Sequence, residues 1–210
     1  MDTTSIADLR HQLIDLSGGG RRTSKNRTSG LYATINLPHF SDIHGLRDTT
    51  IRFIDWNITT LAGLTTVELG SNMGALTWQA LNLGATHSIG YEFNAQRVDW
   101  CNHIARLYKL PAHFYTADFN DPTTHLDTPA DICFACSVDQ YLTNRPRFYK
   151  TIANLTKRTA YFESNIQDRT YTPARMKQML LTAGFTHVTY YGNGYSGGNA
   201  RRRKLFVCQK

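Results

Sequence analysis

Apolar and polar positions alternate along this chain with two periods, and the switches between them mark out its elements. From Leu64 to Leu69 the period is two, with Val67 and Leu69 on one side, as in a strand. Gly70 and Gly74 interrupt the pattern, and a helix follows over Met73 to Leu83. A second strand covers His87 to Glu92, and helix Ala95 to Leu110 then sets Val98, Cys101, Ile104, Ala105 and Tyr108 on one face. A third strand runs up to Asp118, a fourth covers Asp131 to Ala135 and a fifth covers Thr159 to Glu163. Helix Tyr141 to Leu155 turns Phe148, Ile152 and Leu155 inward, and helix Thr172 to Ala183 is closed by Gly184. Phe185 to Tyr191 and Lys204 to Cys208 read as a closing antiparallel pair. Strands and helices in this order predict an α/β fold with a mostly parallel seven-stranded sheet and helices on both faces.

Ahead of that core, Ile6, Leu9, Leu13 and Leu16 recur at helical spacing behind Ser5, with Asp8 three residues on to complete a cap. Gly18, Gly19 and Gly20 end this helix. The run from Arg21 to Arg27 carries four cations and almost no apolar residue, which suits a solvated linker; a phosphate-contacting arm or a lid is the functional alternative. Gly30 to Ile35 alternates like a short strand, and a helix opening at Gly45 turns Ile51, Ile54, Ile58 and Leu61 inward. The chain thus divides into an N-terminal helical extension over residues 1–62, with a candidate lid, and a catalytic domain over residues 63–210.

Composition narrows the class. In 210 residues, 41% are hydrophobic and 11% aromatic, too many for a disordered chain. No apolar run reaches the roughly 20 residues that span a bilayer, and Met1-Asp2-Thr3-Thr4 lacks the charged-then-apolar order of a signal peptide. A soluble, cytoplasmic protein without a membrane partner is expected. Cys133 and Cys136 form a CxxC in or just after the fourth strand, but no second CxxC or nearby histidine pair accompanies it. Buried free thiols, and no metal site, are the expectation.

The chemistry gathers at strand ends. Glu68, Glu92 and Asp118 each close one of three consecutive strands, and in an open α/β sheet those ends face one crevice. One such acid is ordinarily a solvated loop residue; three in register point to a ligand. The turn after Glu68 lacks dinucleotide spacing, because Asn72 stands where the middle glycine would be, and this disfavours a nicotinamide-dependent oxidoreductase.

From Leu64 to Asn165 the chain resembles the class I S-adenosylmethionine-dependent methyltransferases. The resemblance implies a Rossmann-like fold and S-adenosyl-L-methionine as cofactor. It implies that Glu68, Gly70, Asn72 and Gly74 lie against the methionine part, that Glu92 grips the ribose hydroxyls, and that Asp118 accepts from the adenine amine with Phe119 against the ring. Ser137, after the fourth strand, joins this set, and Arg47 and Arg52 precede the cofactor strand where they reach for its carboxylate or serve as surface charge. More weakly, the pre-core region, the fourth strand and Arg201 to Cys208 resemble a shortened relative of the enzymes that carboxymethylate wobble uridine in tRNA.

Methyl transfer then belongs after the fourth strand, at Cys136 to Leu142. Asp139 is the candidate base, while Tyr141 and Gln140 orient an acceptor; each equally suits a capping role. His44 and His113 are candidates from elsewhere. The formal charge of +7, with clusters at residues 21–27 and 201–204, favours anionic partners. The loop Gly192 to Asn199 places Tyr195 near an acceptor or simply joins two strands. With no separate recognition domain in view, a small-molecule or saccharide acceptor is favoured over RNA. A non-catalytic RNA-binding protein on the same fold is the third reading.

Overall fold

The computed structural model of the chain describes residues 5–18, 32–40, 42–43, 45, 48–193 and 203–210. Arg47, His44, the basic run 21–27, Tyr195 and Arg201 with Arg202 lie outside the described residues. Two helices precede the sheet, α1 (Ile6–Gly18) and α2 (Ile51–Asp55). Strands and helices then alternate: β1 (Thr65–Leu69), α3 (Ala75–Asn82), β2 (His87–Glu92), α4 (Ala95–Leu107), β3 (Ala112–Thr116), β4 (Ala130–Cys136), α5 (Arg145–Leu155), β5 (Thr156–Ser164), α6 (Pro173–Ala183), β6 (His187–Asn193) and β7 (Lys204–Gln209).

The sheet order is β3-β2-β1-β4-β5-β7-β6. β1 to β5 are parallel, and β7 runs antiparallel between β5 and β6. That inserted strand separates the sheet from the all-parallel 3-2-1-4-5-6 order of dinucleotide-binding proteins. One core lies under α5 and α6 and includes Val67, Cys133, Phe148, Ile152, Phe162 and Phe206, all buried. Another joins α1 to α4 through Leu9, Leu13, Ile104 and Phe114.

Local chemistry sets the boundaries. At α1 the Ser5 amide donates to Asp8 at 3.0 Å and the Asp8 amide to Ser5 Oγ at 3.2 Å, the reciprocal cap expected from the spacing. Gly184 ends α6 at φ 114°, in the left-handed region. The helix expected over Tyr141 to Leu155 is shorter. Asp139–Tyr141 form one 3-10 turn, and α5 begins at Arg145, where Asn144 accepts from the Arg147 amide and Pro146 occupies the first turn that proline tolerates.

The pre-core region also departs from its pattern. α2 is five residues long, and Ile54 is 78% exposed rather than inward. Aromatic packing decides this: Phe53 and Trp56 take the inner side, with ring centroids 5.2 and 6.2 Å from Phe134. Ile58 and Leu61 are buried, but beyond the helix. Between residues 32 and 36 only Ala33 forms a bridge, not a strand.

Candidate active site

The C-terminal ends of β1, β2 and β3 bring Glu68, Glu92 and Asp118 to one edge of the sheet. Glu68 is buried, and its Oε2 accepts from the Thr77 amide at 2.9 Å and the Thr77 hydroxyl at 2.7 Å, tying β1 to α3. Burial pushes its carboxyl up to about 8 against those two bonds. Glu92 Oε2 accepts from the Asn72 amide at 2.9 Å; Oε1 accepts from the Asn94 amide at 3.1 Å and faces Arg97 at 3.4 Å. Asp118 is half-buried and takes only the Asn120 amide, on Oδ1 at 2.8 Å. Phe119 packs on Phe148 of α5 at 5.2 Å. Phe93, beside Glu92, is an apolar side chain 69% exposed at the same edge.

The turn between β1 and α3 is held in the left-handed region by three residues, Gly70 (φ 75°), Asn72 (φ 51°) and Gly74 (φ 71°). Gly70 and Ser71 both donate to the Tyr91 carbonyl, at 2.8 and 2.9 Å, fixing the turn to β2. Asn72 stands in for glycine because asparagine tolerates this region and its side chain serves the backbone: Oδ1 accepts from the Met73 amide at 2.9 Å. A Cβ on Gly70 would lie 2.4 Å from Val138 Cγ2, so the turn presses against the segment after β4. Ser71 Oγ is buried in this turn without a hydrogen-bond partner.

After β4 the chain passes through Ser137 at φ 56°. The Ser137 amide donates to the Glu163 carbonyl at 2.7 Å, and its hydroxyl bonds Glu163 Oε1 at 2.5 Å. Glu163, fully buried near the end of β5, also receives Arg52 from α2, through Nε at 3.1 Å and Nη2 at 2.8 Å, and Arg203 from the start of β7 at 2.7 Å. Burial alone would raise this carboxyl, but the two guanidiniums hold it at about 2. Arg52 is therefore neither surface charge nor a free arm; it is a buried partner of Glu163.

Glu163 and Arg203 were not among the expected site residues. The signal for Glu163 is the one carried by Glu68, Glu92 and Asp118, a carboxylate closing a strand.

Asp139 and Tyr141 part company. Asp139 is wholly buried; Oδ2 accepts from the Tyr149 hydroxyl at 3.1 Å, Oδ1 has no hydrogen-bond partner, and burial pushes the carboxyl up to about 6. Tyr141 is 70% exposed, and its carbonyl accepts from Asn120 at 3.3 Å. Gln140 donates to the Ser137 carbonyl at 3.3 Å. His113 is exposed on the edge strand β3 and stacks near Tyr115 at 4.5 Å, in a different place from the residues after β4. Cys133 is buried in β4 and Cys136 half-buried at its end. Among the described residues, no group of three His, Cys, Asp or Glu is placed to hold a metal, and no helix is long and apolar enough to cross a membrane.

No family model matches the sequence, and no curated protein matches it. Solved structures do. An S-adenosylmethionine dependent methyltransferase from Mesorhizobium loti aligns at TM-score 0.58 and 14% identity, over 71% of this chain and 92% of its own. The magnesium protoporphyrin IX methyltransferase of Synechocystis, solved with bound SAM, aligns at 0.59 and 15% identity over 77% of this chain and 76% of its own. A Haloferax volcanii putative methyltransferase, solved in complex with the Trm112 methyltransferase activator, aligns at 0.57 and 16% identity over 77% and 88%. These likenesses establish the fold as that of the class I methyltransferases.

Proposed function

We propose that this chain binds S-adenosylmethionine along the C-terminal ends of β1 to β4 and transfers its methyl group to an acceptor over the ends of β4 and β5. The observation that carries the reading is the convergence of Glu68, Glu92 and Asp118 on one edge, beside a left-handed turn, in a sheet of this order.

The carboxylates retain capacity for a ligand. Asp118 Oδ2 and Glu68 Oε1 make no hydrogen bond within the described protein, and Glu92 Oε2 makes one of the two its lone pairs allow. Asp118 suits an amine donor, with Phe119 and Phe93 as apolar surfaces near it, and Glu92 suits a ribose hydroxyl. Burial raises the Glu68 carboxyl to about 8, so a cation placed beside it favours the charged form. The absent dinucleotide spacing and the antiparallel β7 both speak against a nicotinamide cofactor.

The cofactor supplies a methyl group already activated on a sulfonium, so the protein's share is alignment and, where the acceptor carries a proton, its removal. Tyr141, exposed after β4, is the residue proposed to face the acceptor. Asp139, buried against Tyr149, is proposed to hold the turn that carries Tyr141. Ser137, locked by Glu163 and Arg203, fixes the start of that turn. The face of α5 and α6 described below favours a nucleic-acid acceptor over the small molecule or saccharide that the sequence alone favours.

Calorimetric titration tests the reading. The folded protein is expected to bind S-adenosylmethionine and its demethylated product. Glu92→Gln is expected to weaken both roughly ten- to hundredfold, as loss of a charge-assisted hydrogen bond of about 1.5–3 kcal/mol requires. Glutamine keeps an acceptor for the Asn72 amide but turns its NH2 toward the Asn94 amide and Arg97, so thermal unfolding of the variant, measured alongside, separates loss of the ligand's bond from loss of the turn. Well-folded protein that binds neither compound would sink the reading; tight NAD binding in their place would revive the oxidoreductase.

A further inference from the structure

We propose that the adjoining faces of α5 and α6 form a docking surface for the phosphate backbone of single-stranded nucleic acid, leading an extruded base to the exposed ring of Tyr141. The inference rests on the methyltransferase reading for its purpose but not for its test.

Charge is the first observation. α5 carries Arg145, Arg147 and Lys150, and α6 carries Arg175 and Lys177; neither helix contains an acidic residue. α1 and α4, by contrast, mix both signs. Arg169 adds a further exposed cation in the connection before α6. None of these six is in an ion pair with a carboxylate among the described residues. The nearby acids are Asp168 and Asp121, each already hydrogen-bonded to a threonine in its own turn, and buried Asp139.

Arg145, Arg147 and Arg175 also occupy the first turns of their helices, where the macrodipole disfavours positive charge. The helix dipole therefore does not explain this sign pattern; each of the three guanidiniums bonds a carbonyl, of Asp139, Phe119 or Thr170, which leaves its positive charge unneutralised and open to a polyanion.

Shape is the second. A mostly apolar groove of about 460 Å³ runs between the two helices, with Pro146, Met179 and Ala183 in its lining and Lys150 and Arg175 as its two cations. Ahead of α6 the Tyr171 ring is faced by two guanidiniums, Arg145 at 4.9 Å and Arg175 at 5.4 Å. Tyr171 is half-buried and its hydroxyl accepts from Arg145 at 3.2 Å, so the ring holds the two guanidiniums in place as fixed charge at the mouth of the helix pair.

Position is the third. α5 follows β4 and α6 follows β5, so both helices leave the sheet at the edge that holds the carboxylates. Arg145 Nε donates to the Asp139 carbonyl at 3.0 Å and Arg147 to the Phe119 carbonyl, which makes the basic face continuous with the site.

The test is fluorescence anisotropy of the full chain with a labelled single-stranded RNA 20-mer across a salt series, in parallel with the same DNA sequence and with polyglutamate of matched charge. Wild type is expected to bind both nucleic acids with steep salt dependence and polyglutamate at least tenfold more weakly. In the double variant Lys150→Ala, Arg175→Ala, which removes the two cations that line the groove, nucleic-acid affinity is expected to fall at least tenfold. The slope of log affinity against log salt should flatten by about 1.4, as loss of two phosphate contacts at about 0.7 each requires. Cofactor affinity should hold, which separates failure here from failure of the methyltransferase reading. Arg106→Ala, Lys109→Ala near the end of α4 is the control and should change little. Absence of nucleic-acid binding, a double variant with unchanged affinity and slope, or equal binding of polyglutamate would each overturn the proposal.

Discussion

Glu68 and Glu163 end strands two places apart in the sheet with the same side chain and pKa values pushed in opposite directions. Burial pushes Glu68 up to about 8; Glu163 is equally buried, but Arg52 and Arg203 hold it at about 2. Linkage turns this into two pH windows. Glu68, raised in the folded state, contributes stability that is complete below about 4.5 and is lost as pH rises through about 8. Glu163, lowered, contributes stability present above about 4.5 and lost as pH falls toward 2. Glu68→Gln should therefore flatten the loss of stability between pH 5 and 9, by a few kcal/mol at most given roughly 1.4 kcal/mol per pKa unit. Urea unfolding at a series of pH values measures it, and an unchanged slope would show that Glu68 titrates normally. The place of Glu68 was legible in the sequence, since a strand period followed by glycines locates a strand end. Its protonation was not, because that depends on which neighbours the fold brings over it.

At the scale of elements, the turn after β1 shows what local sequence can and cannot carry. Gly70, Asn72 and Gly74 announce left-handed backbone by residue type alone. That the turn lies against Val138, 68 positions along, follows only from β1 pairing with β4. Gly70→Ala meets both facts: a side chain at φ 75° costs roughly 1–2 kcal/mol, and its Cβ must displace Val138 from a 2.4 Å approach. The variant is expected to lose more stability than Asn72→Gly, which keeps the left-handed backbone and forfeits only the bond to Met73. It should also weaken cofactor binding by moving the turn. Thermal unfolding and calorimetry on the two variants check the order, and Gly70→Ala at wild-type stability would contradict the close packing. Helices were legible to within a few residues where one face stayed apolar, as in α3, α4 and α6. Over 141–144 the period misled, because Asn144 and Pro146 restart the helix at Arg145.

The whole molecule is tied together by charges that no local pattern reveals. Arg52, Glu163 and Arg203 come from α2, β5 and the start of β7, and all are buried. The Arg52–Glu163 pair spans 111 positions, and among 23 basic residues nothing in the sequence selects this partner. Topology does: β5 lies between β4 and β7, so Glu163 meets Ser137 on one side and Arg203 on the other, and α2 closes over all three.

A buried triad of this kind is weak evidence of stabilisation, since three desolvated charges cost about what their attraction returns. Its effect should then lie in placing the pre-core segment and Ser137 against the site. Arg52→Met alone leaves Glu163 underpaired and should cost roughly 3–5 kcal/mol in urea unfolding. The triple replacement Arg52→Met, Glu163→Leu, Arg203→Met removes every charge together and should recover most of that loss. It should nevertheless bind S-adenosylmethionine more weakly than wild type, because the Ser137 hydroxyl loses the carboxylate that anchors it and only the backbone bond to position 163 remains. A triple variant as unstable as the single one would mean that the network stabilises the fold outright; one that regains both stability and cofactor affinity would mean that the charges do not organise the site.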